Sequence, residues 1–130
     1  MTAETVDQTI ADYYRDFNTL NVRAILPYFH EPSLLIGPQG VIPVSNHAAL
    51  EAAFGPVMEG LRAKGFGRSE FRQGYSKSLS STAAIIGGTA VRYIQDGREM
   101  ERVGVTYALH KGTTGWKFAT VILHDPAGSG

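Results

Sequence analysis

No cysteine occurs among the 130 residues, so disulfide scaffolds, thiol nucleophiles and cysteine-ligated zinc are excluded. Neither sign of charge is in excess: twelve Lys and Arg balance twelve Asp and Glu. A nucleic-acid binder that works by counterion release carries a clustered positive surplus, and none is present. Long apolar runs are missing as well. Ala83-Ala84-Ile85-Ile86 and Val121-Ile122-Leu123 fall far short of the roughly 20 residues of a membrane span. The histidines His30, His47, His110 and His124 are dispersed, with no pair one helical turn apart, so neither a metal site nor a cofactor is expected. Residues 1–4 show no basic segment followed by an apolar one, which sets a cytoplasmic expectation. What the chain does have is 43% hydrophobic residues, enough apolar surface for one domain spanning residues 1–130.

The first half has helical spacing. Val6, Ile10, Tyr13, Phe17 and Leu20 draw one apolar stripe along a helix. Asn21 offers a cap for a short second helix bearing Val22, Ile25, Leu26 and Phe29, with a kink or early end expected at Pro27. Leu34-Leu35-Ile36 and Val41-Ile42-Pro43-Val44 flank Gly37-Pro38-Gln39-Gly40, a strand–turn–strand pattern. Ser45 or Asn46 then caps a third helix, which Gly55-Pro56 is expected to interrupt and Gly65 to end.

From Phe66 the period changes to two. Strict alternation places Phe71, Gln73, Tyr75 and Lys77 on one face. A long strand runs from about Thr82 to Gln95, Asp96-Gly97 marks a hairpin, and strands over Glu99–His110 and Trp116–His124 follow. Gly87-Gly88, mid-strand, marks a bulge or bend. The order implies an α+β domain, a curved antiparallel sheet wrapped around N-terminal helices. The last strand reads as apolar on both faces. Helices cover one face only, so a homodimer through the sheet is expected. The tail 126–130 reads as a frayed end.

Tyr13-Tyr14-Arg15-Asp16-Phe17, Asn21-Val22-Arg23-Ala24-Ile25-Leu26 with Phe29, and the closing Thr106-Tyr107-Ala108-Leu109 and Gly115-Trp116-Lys117-Phe118 resemble the nuclear transport factor 2-like superfamily. That superfamily holds ketosteroid isomerase, SnoaL-like cyclases, limonene epoxide hydrolase and scytalone dehydratase. The resemblance implies a cone-shaped sheet of cystatin-like fold that closes with helix 1 around a pocket, commonly in a dimer. Function must still be argued from the site.

Acid–base work in an apolar cone needs a carboxylate or imidazole with a shifted pKa and a donor for developing oxyanion charge. No aspartate lies mid-strand. In the isomerase pattern Tyr13 falls at the place of the carbonyl-binding tyrosine, but the slot of the base is Gly37. The residue types leave Asp16 and His124 as candidate proton acceptors. Tyr13, Phe17, Tyr75, Arg92 and Trp116 are the candidate ligand-binding residues. Arg92 shares a face with Ala90 and Ile94, an odd place for a solvated arginine, and either anchors a ligand anion or pairs with an acid in the dimer interface. Two functions stay open. One is a pocket for a small hydrophobic or amphipathic molecule, with or without proton transfer on a carbonyl compound. The other is a closed, non-catalytic binding or dimerisation module.

Overall fold

The computed structural model describes residues 5–125; the tail 126–130 and residues 1–4 lie outside them. Three N-caps set the helices. Thr5 accepts from Gln8 N and starts α1 (Val6–Phe17). Asn21 accepts from Arg23 N and starts α2 (Val22–Ile25), which passes at Pro27 into a single 3-10 turn over Leu26–Tyr28. Asn46 accepts from Ala49 N and starts α3 (His47–Ala63). The apolar stripe of α1 is buried at Ile10, Tyr13, Tyr14 and Phe17. Contrary to expectation, Gly55-Pro56 does not interrupt α3. Pro56 deprives only the Ala52 carbonyl of its partner, and both residues lie on the exposed side, where water replaces the lost bond. Gly65, with φ of 83°, then turns the chain into the sheet.

Six strands follow: β1 (Phe29–Gly37), β2 (Gly40–Val44), β3 (Phe66–Ser78), β4 (Ala83–Ile94), β5 (Glu99–Gly112) and β6 (Gly115–His124). They form one open sheet in the order β2-β1-β6-β5-β4-β3. Every neighbouring pair is antiparallel except β1 with β6. The sheet is therefore mixed, because the long excursion through α3 and β3–β5 brings β6 back alongside β1. The fold is the expected α+β cone, with the helices on the inner face.

Two bulges decide which side chains face inward. On β3, Gln73 pairs with Gly88 and Tyr75 with Gly87, leaving Gly74 as the extra residue. On β6, Phe118 pairs with Leu109 and Thr120 with Ala108, leaving Ala119 extra. One extra residue reverses the face of everything beyond it. The β6 bulge corrects the reading of that strand as apolar on both sides. Phe118, Val121 and Leu123 all face the helices, and Thr120, Ile122 and His124 face out. The core is an aromatic cluster on the inner face. Tyr107 stacks on Phe118 at 4.5 Å, and Tyr13 meets Phe118 edge-on at 4.8 Å.

Candidate functional site

A cavity of about 420 Å³ lies between the inner face of the sheet, α1 and α3. Its rim is the β1–β2 turn (Gly37 to Gly40) with Ile42, Val57 and Leu123. These three side chains are unusually exposed for apolar residues, at 53%, 43% and 41%. The buried part of the wall is Tyr13, Tyr14 and Phe17 from α1, Ala90 from β4, and Val105 and Tyr107 from β5. Ser69 of β3 and Arg92 of β4, direct partners across the ladder, add polar groups.

No Asp, Glu or His is among the described residues that line the cavity. Its titratable groups are three phenols and one guanidinium. Burial pushes the Tyr14 hydroxyl up to about 12, with its bond to Tyr107 and the charge of Arg92 pulling the other way. Burial raises Tyr13 and Tyr107 well above the ordinary tyrosine range too. All three stay protonated at neutral pH and serve as hydrogen-bond donors, not as bases. Tyr14 and Tyr107 are committed to each other, hydroxyl to hydroxyl at 2.7 Å. Arg92 donates Nη1–H to Glu101 Oε2 at 2.5 Å. By contrast, the Tyr13 hydroxyl makes no hydrogen bond with the described residues, and Ser69 Oγ and Arg92 Nε are shut away from water without a partner. The cavity is apolar, with the unpartnered Tyr13 hydroxyl on its wall and two further unpartnered donors closed behind that wall.

Of the residues singled out from sequence, Tyr13, Phe17 and Arg92 line this cavity. Within the chain Arg92 pairs with Glu101, its cross-strand neighbour. Asp16 lies off the cavity wall, where it accepts from the Tyr28 hydroxyl at 2.5 Å and from Arg15 at 3.1 Å. Those bonds hold its carboxyl below the usual range. Trp116 packs half-buried against the core near the β5–β6 hairpin, outside the cavity. The two bulges carry Tyr75 and His124 to the outer face. There the Tyr75 ring lies over Gly87 and its hydroxyl is 3.3 Å from Thr106 Oγ1, which His124 Nε2 meets at 3.0 Å. Neither candidate proton acceptor touches the cavity.

Tyr14, Ser69 and Tyr107 are cavity residues that the sequence reading passed over. Tyr14 stands four residues after Ile10, on the margin of the stripe. Tyr107 alternates with Val105 and Leu109, so both had a periodic signal; Ser69 had none.

An open, mixed sheet curled over a first helix, with an apolar cavity between them, defines an NTF2-like domain of cystatin-like fold. The chain belongs to the family described as NTF2-like protein (DUF6841), whose model matches residues 3–126. No curated protein matches it. Among solved structures it is similar to a putative calcium/calmodulin-dependent protein kinase type II association domain from Thiobacillus denitrificans. The TM-score is 0.77 at 15% identity, over 97% of this chain and 98% of that one. An NTF-2 like protein of unknown function from Shewanella oneidensis gives 0.72 at 18% identity, over 92% and 96%. A ketosteroid isomerase-like protein from Erwinia carotovora atroseptica gives 0.66 at 15% identity, over 91% of each chain. Likeness at these identities establishes the fold alone.

Proposed function

We propose that this chain is a binding protein for a small hydrophobic or amphipathic molecule, held in the inner cavity without acid–base turnover. The observation that carries the reading is the pairing of an apolar wall with buried donors that have no partner. A buried donor left unsatisfied costs about 1–3 kcal/mol, a cost that an acceptor group on a bound molecule removes. A closed scaffold would gain nothing by keeping Ser69 Oγ and Arg92 Nε in such a place. The absence of a carboxylate or imidazole from the described wall speaks against proton transfer of the isomerase kind.

The test is a thermal-shift screen against small ketones, sterols, ring polyketides and carboxylic acids. Each is run on the wild type and on Val57→Trp and Ala53→Phe, which put bulk into the mouth and wall. A ligand at a hundred times its Kd stabilises by about 2.7 kcal/mol, a shift of several degrees. The reading expects a coherent class of hits lost in both variants. A flat screen on the wild type overturns it.

A homodimer through the outer face of the sheet belongs to the same proposal. Its support is a patch of outward, mostly apolar side chains in two adjacent rows that together cross five strands. Val41, Ile36 and Ile122 are successive partners in one row, and Leu34, Thr120, Ala108 and Ile85 are successive partners in the row beside it. Val41 and Leu34 are 61% and 37% exposed. Sedimentation at working concentration is expected to give twice the chain mass of 14.1 kDa, and a value at the chain mass contradicts the dimer. No helix of the described residues is long and apolar enough to cross a membrane. A cytoplasmic setting completes the proposal, and cell fractionation tests it.

A further inference from the structure

We propose that the cavity takes the carboxylate of an otherwise hydrophobic acid, its head group seated on Arg92; this rests on the binding reading above and names the ligand class. A guanidinium carries five N–H donors. The described residues supply one acceptor, Glu101. Nε is unpartnered and closed even to water, so the acid must displace the Arg92 side chain slightly to reach it, and Nη2 makes no hydrogen bond with the described residues. Nε–H and Nη2–H together form one edge of the guanidinium plane, and a carboxylate meets such an edge with two parallel hydrogen bonds. Ser69, the cross-strand partner of Arg92, holds a third buried donor in its unpartnered hydroxyl. A neutral carbonyl would use one of these donors and leave the rest unsatisfied.

The charges point the same way. Arg92 is the one cation among the described residues that line the cavity, and its field reaches Tyr13, Tyr14 and Tyr107. One cation with one hydroxyl suits a planar head of single charge. The apolar rim at Ile42, Val57 and Leu123 suits a hydrocarbon or aromatic body. Glu101 is not on the cavity wall, and its side chain is 32% exposed on the far side of Arg92. It anchors the guanidinium while opposing a second negative charge, which makes it a restraint on affinity for the acid.

The experiment is calorimetric titration of the full chain at neutral pH. The probes are straight-chain acids from hexanoate to dodecanoate, phenylalkanoates of similar size, and the primary amide of each. Acids are expected to bind about tenfold tighter than their amides, the step that one charge-assisted contact supplies. Arg92→Met is expected to abolish that preference while amide binding persists. Glu101→Gln is expected to widen it several-fold, and decides the matter should Arg92→Met fail to fold. Equal affinity of acids and amides, or no widening in Glu101→Gln, overturns the carboxylate while leaving the binding reading standing. Binding of neither series overturns both.

Discussion

The two faces of one sheet use the same residue types to opposite effect. On the outer face Tyr75 meets Thr106, and Thr106 meets His124. Nearby, the Tyr93 hydroxyl accepts from Arg72 at 2.9 Å, and Arg68 lies 4.1 Å above its ring while binding Glu70. These groups are partnered and have water beside them. On the inner face Ser69 Oγ and Arg92 Nε have neither, and the Tyr13 hydroxyl has no partner among the described residues. A tyrosine, a hydroxyl and an arginine amount to a solvated network on one side and a set of unused donors on the other. Burial, not residue type, makes the difference.

Substitutions break or sharpen that contrast. The largest effect is expected at Phe118, fully buried on the inner face against Tyr107, Tyr13 and Phe29. Phe118→Ala should cost about 3–5 kcal/mol in urea unfolding. Gly88→Ala comes next, since a Cβ there would overlap the Arg72 carbonyl of β3; a loss of about 1–3 kcal/mol is expected. Gly87→Ala meets only the Tyr75 ring, so its smaller cost should vanish in a Tyr75→Ala background. Comparing the two melts separates backbone crowding from side-chain crowding.

The buried tyrosine pair follows. Tyr14→Phe or Tyr107→Phe alone leaves a buried hydroxyl without its partner and should cost about 1–3 kcal/mol. The double change should cost clearly less than the sum of the two, as read by a double-mutant cycle. These phenols also set an alkaline limit. Their folded-state pKa values lie above the ordinary 10.0, so the unfolded chain releases protons first. Their contribution is therefore complete below pH 10 and is lost as pH rises beyond it. Each Tyr→Phe change should flatten that slope. Tyr13→Phe and Tyr75→Phe close the series with changes within about 0.5 kcal/mol, for different reasons. The first removes a hydroxyl with no partner among the described residues, and the second removes one that water replaces. A melt showing Tyr13→Phe strongly destabilised would place its hydroxyl among the structural bonds.

Helical periodicity is local, so α1, its stripe and the capping residues Asn21 and Asn46 were legible in the sequence. Arg92 was legible as an anomaly, a charge in an apolar alternation. Its partner was not, because Glu101 arrives through cross-strand register, which no short window contains. Tyr75 and His124 lie off the cavity for one shared reason. Alternation assigns them inward, and a single extra residue at Gly74 or Ala119 turns each of them outward. A glycine hints at a bulge, but nothing in Ala119 does. Asp16 lies off the wall for a different reason: it stands beside the stripe on α1, and a neighbouring position on a helix is a different face.

The central claim is that function resides on the inner face. Methyl chemical-shift mapping with the first hydrophobic acid that binds tests it most directly. The account predicts shifts at Val57, Val105, Val121 and Leu123 of the cavity wall, with Ile85 and Ile122 of the outer face unmoved. Shifts confined to Ile85 and Ile122 would contradict it.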